Sequence, residues 1–173
     1  FFSMSLGGGA SLDLGVYLLS LTMHLFGEPE KISGRWKAAP TGVDLSARYR
    51  LHYPGMEADL LCGFDANRHN SFEITGTKGQ IRISDPFIRA ERVEILTGTL
   101  ARQIAALIPS GKAAKAFARL PFPGHRVFGY PLAGNGLSAQ AVAVTEAIDG
   151  GLLQHPVMPL GQSAAVLRAI QML

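Results

Sequence analysis

The chain has 173 residues, 47 % hydrophobic and 17 % charged, which is long and apolar enough for a packed core and excludes a disordered polypeptide. Its formal net charge of +3 arises from 16 basic residues spread along the whole length against 13 acidic ones, so no dense basic block marks a nucleic-acid surface and no nucleic-acid partner is expected. The single cysteine, Cys62, excludes an internal disulfide and a zinc cluster and suits a reducing, cytoplasmic setting.

The first residue is Phe1 rather than Met, so the chain is expected to be the later part of a longer protein, and its start does not read as a signal peptide. Gly7, Gly8 and Gly9 then precede an apolar run that stops at Gly27. Glycines open backbone angles closed to other residues and allow close approach, so the pattern predicts a tight entry into a helix over 10–25. At helical spacing Leu12, Val16, Leu19 and Met23 form one apolar stripe and Leu14, Leu18, Leu21 and Leu25 a second, which predicts a helix buried on two sides. Between the stripes stand Asp13, Tyr17, Ser20 and His24. Burying an unpaired polar group costs roughly 2–7 kcal/mol, and a charge more, so this polar line is expected to face a cleft or a polar partner. Two readings are open. Asp13 supports the helix N-terminus through the dipole while Tyr17 is a core aromatic with a satisfied hydroxyl, or Asp13 orients the Tyr17 hydroxyl for chemistry. The longest apolar run, 14–26, is broken by polar residues and falls short of the ~20 residues of a bilayer span, so no membrane partner is expected.

A strand is predicted over 31–39, carrying Ile32 and Trp36, followed by a turn at Pro40-Thr41-Gly42. Leu45, Ala47, Tyr49, Leu51 and Tyr53 then alternate with Asp44, Ser46, Arg48, Arg50 and His52, the signature of a strand with one polar face. Pro54-Gly55 turns the chain into a second alternating set, Ala58, Leu60, Cys62 and Phe64, which gives an antiparallel hairpin. Further strands are read at 72–75, 80–83 and 92–96; short turns between them require antiparallel pairing. Residues 100–108 are weakly helical, and Lys112, Lys115 and Arg119 ride on an Ala-rich segment ending at Pro121, read as a solvated insertion or mobile segment spanning 100–128. Leu137, Ala141, Val144 and Ile148 make one face of a helix stopped by Gly150-Gly151, and Val166, Ile170 and Leu173 a face of the last. The sum is one α+β domain over 1–173, a mainly antiparallel open sheet with helices on one face. Its other face, bearing Arg48, Arg50 and His52, is left to solvent or to another subunit.

The glycine run fails as a dinucleotide fingerprint: Leu12 stands where the third glycine belongs, no strand precedes it and no βαβ unit follows. The five histidines lack ligand spacing with Cys or carboxylates, so no metal is expected. No Gly-x-Ser-x-Gly elbow supports hydrolase chemistry.

Gly7-Gly8-Gly9, three residues, Asp13-x-Gly15-x-Tyr17 and an apolar helix ending Leu25-Phe26-Gly27 resemble the start of the C-terminal domain of the glucose-fructose oxidoreductase / inositol dehydrogenase / MocA (Gfo/Idh/MocA) family, in the branch with glucose-fructose oxidoreductase and dimeric dihydrodiol dehydrogenase. Gly76-Thr77-Lys78-Gly79-Gln80-Ile81-Arg82-Ile83 with Asp85-Pro86-Phe87 is similar to the family's hairpin, and Gly134-Asn135-Gly136 and Pro156-Val157-Met158-Pro159-Leu160 to its C-terminal end. Gly161-Gln162, where members often carry acidic residues, and Leu137, where an aromatic is common, depart from the pattern. The resemblance implies a glyceraldehyde-3-phosphate-dehydrogenase-like C-terminal fold that binds substrate and forms a homo-oligomer through its sheet. It implies NAD or NADP bound mainly by an upstream Rossmann domain absent from this chain, with a Lys in a Glu-Lys-Pro motif there, so that this chain alone is inactive. It implies Tyr17 and Asp13 as catalytic residues and Gly8 and Gly9 as neighbours of substrate and cofactor, with a sugar, cyclitol or related polyol as substrate. A non-catalytic assembly domain derived from the same family is the alternative.

Overall fold

In the computed structural model, which describes residues 1–83, 85–107, 116, 120, 122–132, 134 and 136–173, the first long helix begins at Ala10. It opens with a π turn, Ser11–Gly15, and continues as α1 (Val16–Phe26). The chain then runs β1 (Lys31–Ala38), β2 (Asp44–Tyr53), β3 (Met56–Gly63), β4 (Phe72–Thr75), β5 (Gly79–Ile83), β6 (Arg92–Thr97), α2 (Thr99–Ala106), β7 (His125–Gly129), α3 (Leu137–Asp149) and α4 (Leu160–Gln171). The residues group into two units, 1–67 with 143–173, and 68–142. The α+β class and the antiparallel pairing follow the sequence expectation.

Among the described residues the strands pair as two sheets rather than one. They make a three-stranded sheet, β1-β2-β3, and a four-stranded one, β4-β5-β6-β7. Each tight turn returns the chain beside the strand it has just left, and after β3 the segment 64–71 leads into a fresh meander rather than back to the β3 edge. Of the stretch 100–128, α2 lays Ala101 and Ala105 on β6 beside Leu96, and β7 pairs with β6 from His125 onward. Lys112, Lys115, Arg119, Pro121 and Asn135 lie outside the described residues.

In the first unit β2 alternates as its sequence requires, with Ala47, Tyr49 and Leu51 buried. Against them pack Leu19 and Met23 of α1, Leu60 and Cys62 of β3, and Ala165, Val166 and Ala169 of α4. The small residues of α4 let it lie close to α1. The predicted face of the last helix is thus the buried one, with Ile170 and Leu173 at its edge.

Two expected faces are corrected. The first helix buries Ser11, Gly15, Leu19, Thr22 and Met23, a single side, while Leu12 and Leu25 stand 42 % and 45 % exposed. One sheet and one neighbouring helix can cover only one side of a helix, so Leu14 and Leu18 reach the core only in part. In α3, Leu137, Val144 and Ile148 are exposed and Ala147 is buried instead.

The stretch Met4–Phe26, 23 residues at mean hydropathy 1.2, is long and apolar enough to cross a bilayer, more than the expected run of 14–26. It is not one helix, since Gly7 and Gly9 take positive φ (69° and 129°), and its helical part is the core helix of the first unit. Leu19 is fully buried in that core, so Leu19→Ala should cost roughly 2–5 kcal/mol, read as a lower urea midpoint at unchanged m-value.

Candidate functional site at the head of the first helix

Residues 1–9 fold back under the helix start through a ladder of backbone hydrogen bonds: the N–H groups of Gly7, Gly8 and Gly9 donate to the carbonyls of Met4 (3.1 Å), Ser3 (2.8 Å) and Phe1 (2.9 Å). This explains two of the glycines. A side chain at Gly8 would strike the Phe1 carbonyl and sit 2.8 Å from that of Ser3, and one at Gly9 would run into the Asp44 carboxylate. Beside them lies a cavity of about 220 Å³, lined by Phe1, Ser3, Gly8, Gly9, Leu12 and Asp13 among others.

Asp13 sits in the π turn, half-buried, its N–H donating to the Gly9 carbonyl at 3.1 Å. Tyr17, one turn on, is 50 % exposed, so it is not the core aromatic of the first sequence reading. Among the described residues no hydrogen bond joins the Asp13 carboxylate to the Tyr17 hydroxyl or gives either a side-chain partner. The i→i+5 bonding of the π turn gives way to α geometry between the two. The structure therefore brings Asp13 together with Gly8 and Gly9 around one cavity and leaves Tyr17 half-exposed outside that lining. Further along the polar line His24 is exposed, and the Ser20 carbonyl accepts a hydrogen bond from the Gln162 side chain at 3.3 Å.

Three residues that hold the site escaped the sequence reading. The Ser11 N–H donates to Asp44 Oδ2 at 2.7 Å, and the Tyr49 hydroxyl donates to Ser11 Oγ at 2.5 Å. Asp44 was expected on the polar face with Ser46 and Arg48. A register shift between Lys37 and Ala38, whose partners are Ser46 and Asp44, leaves Leu45 as an extra residue in β2, and Asp44 instead reaches the helix. No local pattern marks a bulge of this kind. Tyr49 was legible only as a core residue.

Burial pushes the Tyr49 phenol up to about 12, with the hydrogen bond to Ser11 working against it. A pKa raised on folding means that stability from this group is complete below the unfolded value near 10 and is lost as pH rises through the folded one. Stability should therefore fall between about pH 10 and pH 12, and Tyr49→Phe should flatten that part of a denaturation series against pH while losing about 1 kcal/mol at neutral pH.

The family profile of the GFO/IDH/MocA C-terminal domain matches residues 1–82. Trans-1,2-dihydrobenzene-1,2-diol dehydrogenase of Bos taurus is 33 % identical over 159 residues, 90 % of this chain and 42 % of that protein. The NADP(+)-dependent scyllo-inositol 2-dehydrogenase IolU of Bacillus subtilis (strain 168) is 36 % identical over 94 residues, 54 % of this chain and 28 % of its own length. Among solved structures, a mutant of KijD10, a 3-ketoreductase from Actinomadura kijaniata crystallised with TDP-benzene and NADP, superposes with a TM-score of 0.62 at 18 % identity, covering 95 % of this chain and 45 % of that one; this likeness is one of fold. The chain belongs to the Gfo/Idh/MocA family of oxidoreductases. It spans less than half the length of the dihydrodiol dehydrogenase it matches.

Proposed function

We propose that this chain is the substrate-binding and dimerisation domain of an NAD(P)-dependent dehydrogenase that moves a hydride to or from a sugar, cyclitol or related secondary alcohol in the cytoplasm. The observation that carries the proposal is the pairing of a cavity-lining carboxylate, Asp13, with the unpartnered, half-exposed phenol of Tyr17 one turn away. The relatives support the reaction class through their own names, a diol dehydrogenase and an inositol dehydrogenase.

The glycines at the helix head fit a supporting role toward the cofactor rather than a phosphate cradle. Gly8 and Gly9 commit their N–H groups to the carbonyls of Ser3 and Phe1, so they offer a close, featureless surface and no donors. A nicotinamide held by an upstream domain supplies the hydride chemistry. Hydride loss or gain at a carbinol carbon requires a proton to move on the attached oxygen, and Tyr17 is the group placed to exchange it. Asp13 accepts a hydrogen bond from a substrate hydroxyl and so orients the ring. Both roles use ordinary hydrogen-bond chemistry of a polyol, whose neighbouring hydroxyls match a carboxylate acceptor.

Dimerisation uses the outer face of β1–β3. Among the described residues the helices pack on its inner face, and the outer one carries Arg35, Arg48 and Arg50 beside Leu61, which is 49 % exposed. Asp59 takes the Arg48 guanidinium in a two-bond pair and lies 3.8 Å from Arg50, and His52 lies 3.0 Å from Glu57, so much of the charge is matched within the sheet. Arg48 holds the Asp59 carboxyl below the usual carboxylate range.

In the full-length enzyme Tyr17→Phe should keep the fold and cofactor affinity and lower kcat by roughly 10²- to 10⁴-fold, while Asp13→Asn should act more on substrate KM. Steady-state kinetics on a panel of polyols and dicarbonyls checks this. A Tyr17→Phe enzyme within a factor of a few of the parent would reject the assignment, and a protein with no turnover on any such substrate would favour an assembly role. Reversing both Arg48 and Arg50 to Glu should move sedimentation toward monomer at unchanged circular dichroism; an unchanged dimer removes this face from consideration.

A further inference from the structure

We propose that Asp44 is a positioning residue for this site, fixing the head of the first helix so that Asp13 and Tyr17 are presented together to substrate; this rests on the role given to Tyr17 above. The helix begins without a cap of its own, because Ala10 at its start has no side-chain oxygen to receive the first N–H groups. Asp44, 33 residues later in sequence, supplies that acceptor to Ser11 N–H at 2.7 Å from the sheet. A carboxylate there also meets the positive end of the helix dipole.

The geometry makes this contact more than a local cap. Asp44 reaches Ser11 only because the bulge at Leu45 turns it from the outer face and because Gly9 leaves empty the space a Cβ would take from its carboxylate. Five residues after Asp44, on the same strand, Tyr49 holds the Ser11 side chain. Ser11 is thus pinned through both backbone and side chain to β2, two residues before Asp13. A third point closes the clamp: a Cβ on buried Gly15 would sit 3.2 Å from Cys62 Sγ and 3.7 Å from the Tyr49 ring, so the π turn rests directly on the sheet. Release of Ser11 from Asp44 frees the end of this turn nearest the glycines, which moves Asp13 and, through the helix, Tyr17. A displacement of about 1 Å at reacting groups can cost roughly 10²-fold in rate.

The test is a double-mutant cycle between Asp44→Ala and Tyr17→Phe in the full-length enzyme, with Asp44→Asn as the conservative variant and circular dichroism and cofactor titration as controls. Asp44→Ala should lower kcat by roughly ten- to a hundredfold with cofactor affinity unchanged. Asp44→Asn, whose amide oxygen can still accept from Ser11, should recover most of that loss. In the Tyr17→Phe background Asp44→Ala should add little, because the group it positions is gone. Should Asp44→Ala fail to fold, Asp44→Ser, too short to reach Ser11, takes its place in the cycle with the same expectation. A folded Asp44 variant at parental turnover, or one that loses the same factor in both backgrounds, overturns the positioning role while leaving that of Tyr17 standing. A Tyr17→Phe enzyme at parental turnover overturns the assignment of Tyr17, and the positioning role with it.

Discussion

Ser11 is held twice by one strand. Its N–H goes to Asp44 in a part-buried bond and its hydroxyl accepts from Tyr49 in a fully buried one, where losing a partner would leave a polar group without water to replace it. Everything at the helix head follows from this attachment. At position 9 the helix start and the sheet come too close for a side chain, and at Gly15 an added Cβ would press on Cys62 at 3.2 Å. The π turn accommodates that proximity; Asp13 stands within it and Tyr17 two residues beyond its end, at the start of α1.

The attachment also sets two environments on a single helix. The inner side, through Leu19 and Met23, is continuous with the core formed by β2, β3 and α4. The outer side, through Leu12, Tyr17 and Leu25, is exposed. Leu19, Tyr49 and Val166 are buried in that core, whereas Asp13 is half-buried and Tyr17 half-exposed.

The second unit solves a different problem. Across its sheet Arg82 lies between Glu73 and Glu94, its Nη1 donating to the Ala105 carbonyl at 3.0 Å and its Nε 3.1 Å from Glu73 Oε1, close enough for an ion pair but off the line of a hydrogen bond. His125, its side chain 1 % exposed, stands 3.3 Å from Glu94 and stacks on Phe122. A row of polar residues under α2 replaces much of the aliphatic packing seen in the first unit. Charges this sheltered are held only where partners surround them, and the small residues Ala101 and Ala105 let α2 come down close enough to complete the set.

Much of this was legible in the sequence because it depends on period and on turn chemistry. Strict alternation from 44 to 53 gave β2 its limits, Pro54-Gly55 its hairpin, and the glycines its neighbour helix an abrupt start. Asp13 and Tyr17 stood out as polar residues at helical spacing on an apolar helix. What the sequence could not determine was anything carried by contacts distant along the chain. The bulge that swings Asp44 off the polar face is the shift of a single residue between two strands, and its sequence is that of any strand start. The bond from Asp44 to Ser11 spans 33 residues, and the division into two sheets depends on which edges meet. The chain's own pattern thus determined which elements form and which side chains could do chemistry, while tertiary structure decided which of them are brought together, because pairing and packing join residues that local periodicity cannot relate.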